Sequence, residues 1–194
     1  MDDDHGLITV PLIDHALNLE YDSIPAEIIE RMKQHFLDFL AVSFGGCLME
    51  SSVAIVQGVS DLTDSTTGRC VVLGDSTLYP PHYAALLNGT FAHTMDFDDT
   101  HRESIMHPGA TIFPTLLALA EETKASGKEF LTAAIVGYDV GTKVGKAHGP
   151  TASPIGFMRT STLGLFASTA AGARLLGLTA DQTKNAMGLN ISQA

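Results

Sequence analysis

The chain has 194 residues, 45% of them hydrophobic and 17% charged, with 22 acids against 11 bases for a formal net charge of −11. That length carries a sizeable core, the composition excludes a disordered polymer, and the lack of a basic patch argues against nucleic acid as a partner. Cys47 and Cys70 lie far apart with no CxxC or metal-type spacing, so two thiols in a reducing compartment are expected. The start, MDDDHGLITV, has no basic region and no long apolar run, and does not read as a signal peptide. The apolar stretch Leu163 to Leu178 is too short and too broken to span a bilayer. The expectation is a soluble, cytoplasmic chain without a membrane partner.

Most of the chain reads helical. Ile13 to Leu19 carries a short apolar pattern. Asp22-Ser23-Ile24-Pro25 resembles a helix start, with Ser23 or Asp22 as cap and Pro25 in the first turn. The helix that follows buries Ile28, Met32, His35/Phe36, Phe39 and Leu40 until Gly45-Gly46 stops it. Ser52 to Leu62 is a second helix, and Thr63 to Gly68 a turn. Cys70 to Leu73 suits an isolated strand or an extended connector. Pro80-Pro81 opens a helix over Tyr83 to Met95, whose small residues Ala84, Ala85, Gly89 and Ala92 permit close packing.

Ala110 to Ser126 is an apolar helix closed by Gly127, and Phe130 to Ala147 is the next. His148 to Phe157, with two prolines and two glycines, is a loop. Thr160 to Leu176 is an Ala/Gly/Ser/Thr-rich helix of the kind that packs inside a bundle. Thr179-Ala180-Asp181-Gln182 is a capping box for a last helix, still running at Asn190 to Ala194. Pattern alone gives an all-α fold with one minor extended element, over residues 1–194 as a single helical domain.

The chemistry concentrates between His93 and His107, where three histidines and four acids crowd together: His93, Asp96, Asp98, Asp99, His101, Glu103 and His107. Metal binding is one reading, but there is no HExxH, no helical pair of histidines four apart, and no calcium-loop glycine in DxDD. Acid–base catalysis is the second. A histidine backed by a carboxylate is an oriented base, and the positive end of a helix, such as the one following His107-Pro108-Gly109, favours a neutral imidazole. In the third, Asp98, Asp99 and Thr100 only cap and turn the chain while His93 packs within its helix. For the cluster as a whole, catalysis is the expectation.

Here the residues resemble a known family. NGTFAHTMDFDD (88–99) followed by HPGATIFPTLLALAE (107–121) is similar to the central signature of the MmgE/PrpD family. GKEFLTAAIVGYDVGTKVG (127–145) and TSTLGLFASTAAGARLLGLTADQ (160–182) resemble its later helices, and Ile24 to Gly46 its first long one. The family includes 2-methylcitrate dehydratase, cis-aconitate decarboxylase and iminodisuccinate epimerase. The resemblance implies a helical domain, joined in the family to a smaller α/β lid, with homodimers common and no iron–sulfur cluster, metal or other cofactor needed. It also implies chemistry next to a carboxylate, by moving a proton on or off carbon. The family's chains are more than twice as long, and NISQA precedes a family segment that carries an active-site lysine. The chain is therefore expected to be the N-terminal part of the helical domain, truncated before the lid.

Position by position, Asp96 matches the signature's first aspartate, Thr100 the threonine after the acids, and His107 the HPG histidine, although one more residue separates Thr100 from His107 than in the decarboxylase branch. Many members carry a histidine just before the Ala-rich helix. Here Met158 stands at that place, and Met cannot transfer protons. The expected catalytic residues are His107, as the acid–base group, Asp96, orienting or tuning it, and Thr100. Arg159, Arg102, His101 and Thr160 are the expected substrate-binding residues, with Arg159 able to grip a carboxylate with both ends of its fork. Lys143 and Lys146 are further basic candidates. The resemblance implies a lyase acting on a small di- or tricarboxylic acid, 2-methylcitrate dehydratase-like. The alternatives are epimerisation or decarboxylation of a related dicarboxylate, or an inactive helical module that dimerises.

Overall fold

The computed structural model describes residues 8–62, 68–149, 156 and 158–193. In chain order the helices are α1 (Thr9–Asn18), α2 (Ala26–Gly46), α3 (Glu50–Leu62), α4 (Pro81–His93), α5 (Gly109–Thr123), α6 (Gly127–His148), α7 (Arg159–Leu176) and α8 (Ala180–Asn190). One small antiparallel pair, β1 (Cys70–Val71) and β2 (Leu78–Tyr79), sets Cys70 opposite Tyr79 and Val71 opposite Leu78. The all-helical expectation holds. The expected turn at Thr63 to Gly68 and loop at His148 to Phe157 lie largely outside the described residues. Among the described residues no single helix is long and apolar enough to cross a membrane.

Several local expectations need correcting. Ser23 does not cap α2: its hydroxyl donates to the Glu20 carbonyl at 2.7 Å and closes a 3-10 turn at Tyr21–Ser23, and Pro25 stands at the N-cap with no side-chain bond. The buried face of α2 carries Ile29, Met32, Phe39 and Val42, while Ile28, one residue off that stripe, is exposed. Gly127 starts a helix rather than ending one. Lys124 terminates α5 in the left-handed region, at φ 55°, and Ser126 and Glu129 form a reciprocal capping box that launches α6. The Thr179–Gln182 box opens α8 as expected, but α8 ends at Asn190, where the Asn190 amide donates to the Leu165 carbonyl and to Thr169 of α7. Cys70 to Leu73 is not isolated. It pairs with β2, and fully buried Asn88 of α4 ties it down, donating to the Val71 carbonyl at 2.9 Å and accepting from Leu73 N–H at 2.8 Å. A buried amide satisfied by two backbone groups fixes the connector to α4. Burial also pushes the Cys70 thiol up to about 11, which keeps it inert.

The core lies between α2, α5, α6 and α7. Phe36, Phe39, Phe113 and Phe130 form an aromatic knot with neighbouring ring centroids 5.0 to 6.3 Å apart. Ile112, Leu116, Leu163, Ala167 and Ala171 extend it. Close approach of α6 and α7 depends on glycines four residues apart. A Cβ on Gly137 would stand 3.0 Å from the Ala171 methyl, and one on Gly141 only 2.6 Å from the Ala167 methyl. Gly145, one turn on, faces Ser104 of the segment between α4 and α5, whose Cβ would be 2.4 Å from an added methyl. The same glycine stripe that seats α7 therefore also seats the loop that carries the acids and histidines.

Gly141→Ala is expected to destabilise the fold by about 1–3 kcal/mol, the usual cost of overpacking. Gly58→Ala, in α3 with open space around its Cα, should be neutral or stabilising by up to about 1 kcal/mol through helix propensity. Urea denaturation of the two variants checks this; equal stabilities would contradict it.

Candidate active site

Residues 94–108 leave the C-terminus of α4 and return to the N-terminus of α5 as a tight excursion. It is pinned at four places. Met106 is fully buried in the core, and His101 and Met106 exchange backbone hydrogen bonds. Ser104 packs on Gly145, and Glu103 reaches Lys146 at 2.5 Å, a contact that holds the Glu103 carboxyl below its usual range. Two residues take left-handed backbone without being glycine, Asp96 and Ile105, both at φ 51°. For β-branched Ile105 this conformation costs on the order of 1–3 kcal/mol, and both residues line the same cleft.

That cleft has a volume of about 510 Å³ and is walled by His93, Asp96, Thr100, His107, Met158 and Thr160, among others. Asp98 lies behind it with its side chain only 3% exposed. One oxygen, Oδ1, receives Nδ1 of His93 at 3.0 Å and Nδ1 of His107 at 3.1 Å. A carboxylate can only accept, so the hydrogen-bonded His93 Nδ1 carries the hydrogen, while His107 Nδ1 meets the same oxygen as an ion-pair contact and is also within reach of the Thr100 hydroxyl. The two rings are 4.8 Å apart. Asp96 sits on the opposite side of His107, its Oδ1 3.6 Å from Nε2, and is largely exposed. Asp98 is thus the buried carboxylate near Nδ1 of His107, and the exposed Asp96 is the one nearer its Nε2. Thr100 Oγ1 lies 3.4 Å from His107 Nδ1, and Thr160 Oγ1 accepts from the His107 backbone N–H at 3.1 Å.

Asp99 points the other way. Its Oδ1 accepts from Gly109 N–H at 2.9 Å, and its Oδ2 from the Tyr138 hydroxyl at 2.8 Å. A Cβ at position 109 would stand 2.6 Å from Asp99 Oδ1, which explains why the HPG motif ends in glycine here. The carboxylate occupies the positive end of α5. Burial pushes the Asp99 carboxyl above the ordinary range, against the pull of its two donors and of His35, 3.6 Å away. Burial and the Asp99 charge push the Tyr138 hydroxyl far up, so it stays a donor at any ordinary pH.

The remaining expected residues divide. Arg159 lines the cleft but is only 4% exposed, and its terminal nitrogens donate to the carbonyls of Gly145 and Gly149, closing the end of α6. The fork expected to grip a carboxylate is engaged there; its buried Nε has no partner among the described residues. His101 caps the turn, its Nδ1 accepting from Ser104 N–H at 3.2 Å, and Arg102 is exposed; neither lines the cleft. Lys143 pairs with Asp139 at 2.5 Å on the surface, and Lys146 with Glu103. His93, Asp96, Asp98 and His107 each bring one ligand atom within 4.8 Å of the others, a set that could hold a divalent cation. Within that set His93 and Asp98 are hydrogen-bonded to each other. The sequence places His93 and Asp98 in the cluster, but only as a packed helix residue and a capping acid. The available signal was their spacing: five residues across the end of a helix brings a carboxylate back against the histidine that preceded it.

Tyr138→Phe removes a donor that favours the ionised form of Asp99. That contribution is present where Asp99 is ionised and is lost as pH falls and the carboxyl protonates. The variant should lose about 1–3 kcal/mol at about pH 8 and less at about pH 4. Denaturation at both pH values checks the sign; a larger loss in acid would contradict it.

Comparison with known proteins agrees with this architecture. The family described as MmgE/PrpD N-terminal domain matches residues 11–194. The cis-aconitate decarboxylase-like protein oryM of Aspergillus oryzae is 32% identical over 97% of the chain, and the cis-aconitate decarboxylase of Aspergillus terreus 33% identical over 96%. The cis-aconitate decarboxylase of Homo sapiens is 33% identical over 91%. The chain covers 40%, 39% and 37% of the lengths of these three relatives. With a family match over nearly its whole length, the chain belongs to the MmgE/PrpD family.

Proposed function

We propose that this chain carries the proton-transfer wall of a lyase that acts on a small di- or tricarboxylic acid. The observation that carries the reading is His107: its Nδ1 stands 3.1 Å from an oxygen of the buried Asp98 carboxylate and its Nε2 3.6 Å from Asp96, in a cleft that also presents Thr100. An imidazole set beside carboxylates is suited to moving a proton on or off carbon next to a carboxylate. Asp96 and Asp98 would repel a polyanionic substrate, which the arrangement relieves by setting Asp98 against two imidazoles rather than open to the cleft. The Thr100 and Thr160 hydroxyls, both on the cleft wall, are the donors offered to substrate oxygens within this chain.

Two lyase reactions fit the site: loss of water from a methylcitrate-like acid, and loss of carbon dioxide from an unsaturated tricarboxylate. The names of the relatives make cis-aconitate the first acid to assay. Turnover is read by the release of carbon dioxide or by the change in absorbance of the carbon–carbon double bond. His107→Ala is expected to lower turnover by about 10² or more. A variant with a near-normal rate would remove His107 from the proposed role.

A further inference from the structure

The cleft does not end at His93. An adjoining groove of about 440 Å³ continues it, and His93, Met158 and Thr160 belong to the walls of both. The groove runs between the last turns of α4, the first turn of α5 and the start of α7. Gly89 and Ala110 are its small residues, and Leu86 and Met158, both exposed, supply its larger apolar surface. The two spaces differ in chemistry. The cleft presents Asp96, His107 and the Thr100 hydroxyl. Among the described residues that wall the groove, none is an acid, a lysine or an arginine, in a chain that carries 22 acids. Four of the groove's hydroxyls are already engaged. Thr90 donates to the Leu86 carbonyl at 2.9 Å, Thr111 to the Pro108 carbonyl at 3.1 Å and Ser161 to the Met158 carbonyl at 2.8 Å, and Thr94 pairs with the Ser51 hydroxyl at 2.6 Å. What the groove offers a guest is therefore chiefly carbon.

We propose that the groove receives an alkyl substituent of the substrate, so that the acid handled in the cleft carries a saturated carbon chain longer than one methyl group. The acid is taken from the lyase reading above, on which this inference rests; the chain is read from the walls of the groove. Continuity identifies the guest: a molecule whose carboxylates lie by Thr100 and Thr160 has its next substituent at the shared edge formed by His93, Met158 and Thr160. Size sets the length. The groove is nearly as large as the cleft of about 510 Å³, and a single methyl would leave most of it to water. Met158 is the residue that decides specificity at the junction. Its unbranched thioether chain adapts to an alkyl group lying against it, and at this place it presents no charge or donor to oppose one. Each methylene that leaves water in the groove should tighten binding by about four-fold.

The test is the binding of a homologous series to the 194-residue chain, followed by calorimetry and by NMR of the side-chain methyl groups: succinate, methylsuccinate, butylsuccinate and hexylsuccinate, none of which has to react. Affinity is expected to rise by about four-fold per added methylene as far as butyl, and the methyl signals of Leu86, Ala110 and Met158 should shift on saturation with the longer acids. Leu86→Gln and, separately, Met158→Gln, both at exposed positions, should flatten the rise. Equal affinity along the series, or a rise untouched by either substitution, would overturn the proposal while the lyase reading still stood on the His107→Ala assay. Failure of every acid to bind, succinate included, would count against both. A dimer seen by light scattering that Leu86→Gln dissociates would give the groove to a second copy of the chain, and would also overturn the proposal.

Discussion

Two neighbouring carboxylates, Asp98 and Asp99, are buried side by side, and among the described residues neither has a lysine or arginine against it. A buried carboxylate without partners is costly enough to unfold a domain of this size or to protonate. Each must therefore be satisfied locally, and the two are satisfied by different parts of the fold. Asp99 turns inward to the start of α5 and to Tyr138 of α6. Asp98 turns outward to His93 at the end of α4 and His107 at the approach to α5. The first arrangement anchors the excursion to the scaffold. The second sets two imidazoles beside one buried carboxylate oxygen.

The scaffold is built to make that anchoring feasible. Glycines 137, 141 and 145 bring α7 close to α6 and leave room for Ser104. Gly109 lets the Asp99 carboxylate reach the first turn of α5. Arg159, at the first position of α7, closes the last carbonyls of α6 instead of reaching into solvent. Within the excursion, left-handed backbone occurs at Asp96 and Ile105, both of which border the cleft beside His107. Strain concentrated there is consistent with a loop whose shape is set by its chemistry rather than by local preference.

Much of this was legible in the sequence. The helices follow from apolar periodicity, and the Thr179 box and the density of acids and histidines were plain. What escaped had physical reasons. Ser23 and Gly127 are residues with two uses, cap or turn and stop or start, and only the neighbouring contacts choose between them. The β1–β2 pairing depends on Asn88, a residue of a different element. Arg159 looked free for a substrate because sequence does not show which carbonyls a guanidinium will meet. The resemblance pointed to Asp96 as the partner of His107, and sequence does not show burial, which sets the two acids apart: the Asp96 side chain is 81% exposed and that of Asp98 3%. The family resemblance supplied His107, Thr100 and Asp96, whereas His93 and Asp98 emerge only once α4 and the excursion are folded together.

The central claim is that a buried carboxylate organises a proton-transfer site. It is tested most directly by following solvent deuterium into the product of cis-aconitate turnover in heavy water, for the parent chain and for Asp98→Asn. The account predicts deuterium on the carbon next to a carboxylate, and a rate lowered by about 10² or more in a variant that still folds. Incorporation at the parental rate by Asp98→Asn would contradict it.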